Sequence, residues 1–320
     1  SVSRGLGDVY KRQVSGEVER LAANGYKVFV GGIAGRAEGN VNGCSSSVNL
    51  TVSEANADTY AGGIVGYLSF KSSSSSPLTL SASGNVSISG EYSVHVGGLA
   101  GYTSSTLYLS KCYTEMQITS TTCSSYSVAY AGGLVGYCNN IVTIGDSYAT
   151  GDVTATSISS YNSSAYAGGL VGRAGSSFTI RDSYATGDLT ATSGSYIAYA
   201  GGLVGSAGGS VTIRNSHSSS LLSAEGKTVY AGGLTGFVFG SVSLENAHWL
   251  NSADTDAVYA IGYSNRLGGP TSIGSTSHAL IEEFYTLADT LNAGREVPVW
   301  EHTGENTLPS LISGEGELVE

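Results

Sequence analysis

The string Gly-Gly-(Ile/Leu)-x-Gly recurs seven times, beginning at Gly31, Gly62, Gly97, Gly132, Gly168, Gly201 and Gly232. The spacings are 31, 35, 35, 36, 33 and 31 residues, and a degenerate eighth copy, YAIGY, spans Tyr259 to Tyr263. A period of this size limits the fold sharply. Each copy is one small unit that cannot bury its apolar face alone, so neighbouring copies must stack.

Every copy repeats the same internal pattern, counted from the last Gly of its motif. Positions +6 and +8 are apolar (Leu107/Leu109, Val142/Ile144, Phe178/Ile180, Val211/Ile213, Val242/Leu244), and a second alternation follows at +17 and +19. Period-two alternation marks half-buried strands. Position +11 is always small (Cys112, Ser147, Ser183, Ser216, Ala247), with Cys44 fitting after a two-residue gap. Six residues before the last Gly stands an aromatic (Phe29, Tyr60, Tyr130, Tyr166, Tyr199, Tyr230), with His95 the exception, and Tyr259 opens the degenerate copy. The pattern predicts an all-β, right-handed parallel β-solenoid of about eight coils with about three short strands per coil. The hand follows from the crossover rule. Like residues then stack on like, and Leu134, Leu170 and Leu203 must touch. A propeller blade would need about 40–50 residues and four strands, more than these copies supply.

Composition agrees with this reading. The chain holds 46 Gly, only four Pro and 12% charged residues, which disfavours a helical bundle. A hydrophobic share of 41% disfavours disorder. No apolar run approaches the roughly 20 residues of a membrane helix, so no direct membrane insertion is expected. Four Cys are too few for a disulfide scaffold in 320 residues. Cys44 and Cys112 should be buried thiols two coils apart, beyond disulfide reach. The formal charge of −11 disfavours nucleic acid as a partner.

The organisation falls into four parts. Residues 1–13, SVSRGLGDVYKRQ, match nothing downstream and read as a translated sequencing adapter at the edge of a metagenomic contig. Residues 14–274 are the repeats. Residues 275–312 read as a capping helix and strand. Leu280, Phe284, Leu287 and Leu291 form its helical stripe, and Trp300 lies in the strand, the whole closing the open end of the solenoid. Residues 313–320 read as a polar linker or truncated end, so flanking domains of the same polypeptide are expected.

The run (Y)AGG-L-V-G followed by (V/F)TI-x-(D/N)-S-Y-A-T-G-D-(V/L) resembles the GLUG-motif repeat family of bacterial surface and secreted proteins. That family includes adhesins and repeats associated with immunoglobulin-A peptidases, and the resemblance covers about residues 14–264. It implies a repeat module on the bacterial surface or outside the cell, and it implies no chemistry of its own.

The chemical signals point the same way. The Gly-rich string is followed by more strand rather than a helix, so it is no phosphate loop. Its glycines (Gly132, Gly133 and Gly136 around Leu134; Gly168, Gly169 and Gly172 around Leu170; Gly201, Gly202 and Gly205 around Leu203) instead let coils approach closely or bend. The five histidines are isolated, with no His-Glu-x-x-His, so any peptidase activity would belong to another region. His217 and His248 share the +12 position with Tyr113, Tyr148 and Tyr184, which favours ring replacement over a metal pair. Asp146, Asp182, Asn215 and Asn246 share +10, and Asp152 and Asp188 share +16. Stacked carboxylates are one way to hold Ca²⁺, but Asx corners that satisfy backbone groups explain the pattern better. No carboxylates or bases break the repeat to converge on a cleft, so no enzyme is expected. One surface is unusual: Thr119/Thr121, Thr154/Thr156 and Thr190/Thr192 point outward at equivalent positions. Exposed strand Thr is ordinary, yet a flat Thr-x-Thr ladder resembles the ice-facing surface of β-solenoid antifreeze proteins, and bulky Tyr elsewhere would equally stack on sugars. The expected partners are a host-surface protein or a glycan.

Overall fold

The computed structural model describes residues 13–19, 27–252, 254–257, 259–272, 274–293, 298–303 and 307–312. Residues 1–12 and 313–320, where the adapter and linker readings fall, lie outside these, and Gln13 opens the first described strand, Gln13–Glu19.

Three parallel sheets run the length of the molecule. One rung of the solenoid passes through Val128–Gly132 in the first sheet, Val135–Cys138 in the second, then Val142–Ala149 and Val153–Ser157 in the long third sheet. The third face is one continuous strand in the early coils (Cys44–Ala55) and bends into two segments in the later ones. The first sheet has seven strands, and the second carries eight parallel rungs before the antiparallel Gly269–Thr271 turns back on it. Pairing is in register, so Tyr130 lies beside Tyr166 and Val142 beside Phe178.

Stacking follows from the repeat. Leu134 N–H donates to Leu170 O at 2.8 Å, Leu170 to Leu203 O at 2.9 Å and Leu203 to Leu234 O at 2.8 Å, and all four side chains are fully buried. The interior is therefore a set of aliphatic columns. Burying each Leu or Ile stabilises by roughly 1.5–3 kcal/mol.

The motif glycines are demanded by close approach. None has positive φ among the described residues. A Cβ on Gly136 would lie 2.6 Å from Val96 O and Gly101 O, and one on Gly172 would lie 2.6 Å from Ala131 O and Gly136 O. The first and second sheets thus meet backbone to backbone at the motif, with no side chain between them.

The +10 corners have a backbone cause. Asp146, Asp182, Asn215 and Asn246 all adopt left-handed φ of 45–51°, the conformation Asp and Asn tolerate best. The Ser that follows each of the first three plugs the bulge: Ser147 Oγ donates to Gly145 O and accepts from Cys112 N–H of the preceding coil. Ser183 and Ser216 repeat this. At +16, Asp152 accepts from Asp188 N–H and Asp188 accepts from Leu221 N–H. The backbone accounts for both acidic columns.

The C-terminal segment differs from its expected position. Strand Ser275–His278 pairs on Ala247–Leu250, and the helical part begins only at Ile281, as a 3₁₀ stretch to Thr286 and an α-turn Leu287–Asn292. Leu280 is exposed, while Phe284, Leu287 and Leu291 are buried. These side chains pack with Trp300, Leu250 and Tyr184 against the outer face of the third sheet. The segment lies along the side of the last coils. At the end of the stack, Trp249 enters the column that holds Thr114, Ala149, Ala185 and Ser218 in earlier coils. Its indole covers Gly233.

Candidate functional site

Ring columns dominate the outer faces. On the first sheet Phe29, Tyr60, His95, Tyr130, Tyr166, Tyr199 and Tyr230 stack with centroids 4.3–5.4 Å apart. Tyr259 does not continue the column: it is exposed, and Tyr230 meets Tyr263 instead, because the last rung is irregular there. A second column faces the first from the second sheet, Tyr67, Tyr102 and Tyr137 followed by Arg173, with Phe237 and Tyr263 near the end. The sequence reading missed it, although its signal is plain: it is the residue immediately after the last Gly of each motif. The two columns interlock, Tyr60 edge-on to Tyr67 and Tyr102, and Arg173 lies between the rings of Tyr137 and Tyr166.

Burial sets the chemistry of these rings. It pushes the Tyr60 and Tyr102 phenols up to about 12 and the His95 imidazole down to about 3. His95 is therefore neutral and sandwiched between Tyr60 and Tyr130. Buried Cys112 and Cys138 are likewise pushed up to about 12, which makes them inert thiols. Cys112, Cys123 and Cys138 form no disulfide, and Cys123 is exposed. Among the described residues no group of three His, Cys, Asp or Glu is arranged to hold a metal ion.

The threonine ladder is assembled as a surface. Thr119, Thr154 and Thr190 pair in register, continued by Ser87 on one side and Ser223 on the other. Thr121, Thr156 and Thr192 form the parallel column, running from Ser89 to Glu225. All six threonines are half-buried, while Ala155 and Ala191 between them point into the core.

Beside this array, where the third sheet turns toward the first, lies a row that the sequence reading did not single out. Tyr92, Tyr126, Tyr161 and Tyr196 occupy the same loop in four successive coils and are 51, 68, 54 and 44% exposed. Irregular loop lengths hide the row, since its members stand at different offsets from the Gly motif. Tyr126 and Asn162 hold left-handed φ of 62° and 44°, and a bulky Tyr in that region is a strained backbone. Tyr126 meets Tyr161 edge to face at 5.3 Å. A cleft of about 440 Å³ bridges the row and the array, lined by Ser160, Thr192, Ser195, Glu225 and Lys227 among others.

Residues 163–190 carry the GLUG motif. The match spans one circuit of the solenoid, from the strand Ser164–Gly168 through the glycine corner to the start of Leu189–Ser193. The in-register pairing of coils on both sides repeats the geometry of this coil from Val28 to Ser264. No curated protein sequence matches the chain. Among solved structures, the chain is similar to a Bacteroides ovatus protein described as a putative immunoglobulin A1 protease. That match has 17% identity and a TM-score of 0.41 over 83% of this chain and 86% of the other. No helix among the described residues is long and apolar enough to cross a membrane.

Proposed function

We propose that the chain is a non-enzymatic GLUG spacer of a cell-surface or secreted bacterial protein, and that it adheres to glycan chains. The contact surface would be the threonine array and the tyrosine edge beside it. The observation that carries this reading is the difference between the Tyr rows. In the stacked columns each ring face is covered by the next ring, whereas the edge tyrosines are exposed. Tyrosine supplies rigid amphipathic contact area, and Ser, Thr and Asn supply adaptable hydrogen bonding. Neutral polyhydroxyl chains match a surface with both, and Glu225 and Lys227 are the charges lining the cleft. Stacked coils repeat these groups about every 4.8 Å along the axis, which suits an extended ligand.

A glycan array probed with the wild-type chain tests this. Retention of at least one neutral glycan is expected, reduced about tenfold or more in Tyr126→Ala/Tyr161→Ala, in line with a central interface aromatic. An array on which the wild type retains nothing would end the glycan reading.

A second reading is favoured by one feature, the three successive in-register Thr-x-Thr coils: that the flat array faces ice. Thermal hysteresis by the wild type, lost in Thr154→Tyr and Thr190→Tyr, would support it in place of glycan contact. A third reading makes the solenoid an accessory region of a secreted metallopeptidase whose catalytic domain lies elsewhere, and the flanking gene sequence decides it.

A further inference from the structure

Four of the five histidines (His217, His248, His278 and His302) meet where the C-terminal segment lies on the third sheet. Their hydrogen bonds fix each ring as a neutral tautomer. His217 Nε2–H donates to Pro309 O at 3.1 Å, and its Nδ1 is buried without a partner. Asn246 Nδ2 donates to Asn215 Oδ1 and to Thr290 O, so its Oδ1 is the acceptor for His248 Nε2–H at 2.8 Å. His248 Nδ1 is then a bare acceptor, and it receives His278 Nε2–H at 2.9 Å. His278 Nδ1 faces Glu283 Oε2 at 3.9 Å. His302 Nε2 accepts from Ala288 N–H and its Nδ1–H donates to Thr307 O.

We propose that this interface is an acid-released clasp: the C-terminal segment docks on the third sheet while the histidines are neutral and lifts off as they take up protons, leaving the solenoid folded. A proton on His248 Nδ1 would oppose two N–H groups, those of His248 and His278, with no acceptor between them. A proton on His217 Nδ1 would place a cation among Tyr184, Phe284 and Trp300 with nothing to receive it. At His278 the exclusion is weaker, because Glu283 partly offsets the burial that pushes this imidazole down. Among the described residues, the other charged side chains on the packed elements are Glu115, Asp146, Glu282, Asp289, Glu301 and the Arg214–Glu245 and Arg181–Asp182 pairs. All are exposed or half-exposed except Asp182, which Arg181 neutralises. None supplies an acceptor to His217 or His248.

Burial holds His217 down to about 3 and His248 to about 4. Lifted off, both rings return toward 6.5. Docking therefore excludes two protons. It is at full strength above about pH 6.5 and weakens below it by up to about a hundredfold per pH unit, until His248 and then His217 titrate in place. Release would uncover the ring column Tyr148, Tyr184, His217 and His248, and would open the groove of about 620 Å³ now formed between Tyr113, Tyr148 and the segment.

Trp300 reports the clasp and Trp249, in the solenoid core, reports the body; the chain has no other Trp. Fluorescence of the full chain is followed from pH 7.5 to 4, with far-ultraviolet circular dichroism alongside. The expected result is partial exposure of tryptophan with the β spectrum unchanged, and a midpoint lowered by about one pH unit or more in His217→Tyr, which extends the column of Tyr184. Amide exchange of the segment 298–303 provides the same readout if that variant folds poorly. Tryptophan that stays buried to pH 4, loss of the β spectrum together with exposure, or an unchanged midpoint in His217→Tyr would each overturn the proposal.

Discussion

Tyr166 and Tyr161 lie five residues apart in one coil, on either side of the corner between the third and first sheets. Tyr166 is buried between Tyr130 and Tyr199, with centroids at 5.0 and 4.3 Å, and Arg173 packs on it. Tyr161 is exposed, on a loop whose next residue, Asn162, is left-handed. The same side chain is thus covered by its neighbours in one row and left exposed in the other. Translational repetition explains the difference. Where successive coils hold one length, their rings superimpose and satisfy each other. Where loop lengths vary, as between Ile158–Ser163 and its neighbours, rings fall out of register and keep free faces. In a solenoid, regularity builds the body and irregularity leaves surface for partners.

The largest expected effect lies in the body, at the glycine corner. Gly172→Val places side-chain atoms against Ala131 O and Gly136 O, both backbone and both unable to yield. The loss should be at least about 4 kcal/mol, or the chain should fail to fold. Urea unfolding followed by circular dichroism measures it, and a loss under about 1 kcal/mol would mean that the sheets are not in contact at the motif.

Next is the ring column. Tyr166→Ala removes a buried aromatic and should cost about 3 kcal/mol. A double-mutant cycle with Tyr199→Ala should return a coupling of about 1 kcal/mol, the increment of one stacked pair. Additive losses would show that the rings are merely adjacent.

His95 offers a smaller and more specific test. It replaces Tyr in the column and its Nδ1 is buried without a partner. Its folded pKa of about 3 lies below the ordinary 6.5, so the unfolded chain binds the extra proton. Stability is fully present above about pH 6.5 and falls by about 1.4 kcal/mol per pH unit below it, toward pH 3. His95→Tyr should gain about 1 kcal/mol at pH 7 by removing the unsatisfied nitrogen. The gap to the wild type should widen as pH drops, and a constant gap from pH 7 to 5 would show that the imidazole is not held neutral. The difference between two chains with the same C-terminal segment cancels any contribution of the other histidines.

How far these features were legible follows the same division. The period, the Leu columns, the +10 corners and the Thr-x-Thr array could be read from sequence because each sits at a constant offset from the Gly motif. The second ring column was equally regular but was masked by its mixed members, Tyr, Arg, Ser and Phe. The tyrosine edge was not legible, since Tyr92, Tyr126, Tyr161 and Tyr196 align only after the chain has been wound. The position of the C-terminal segment was not legible either. An apolar stripe such as Phe284, Leu287 and Leu291 states that a partner exists, and only the His217–Pro309 bond and the burial of Trp300 show that it is the side of the solenoid.

The smallest effect on stability should be the most informative about contact. Tyr161→Ala removes an exposed ring that meets Tyr126 edge to face, so unfolding should shift by less than about 0.5 kcal/mol. If the edge is the contact row, the same change should lower glycan retention about tenfold, while Tyr166→Ala, assayed where it is still folded, should leave retention unchanged. If retention instead follows stability across the two variants, the two rows do not differ in role, and exposure at the edge is only the by-product of irregular loops.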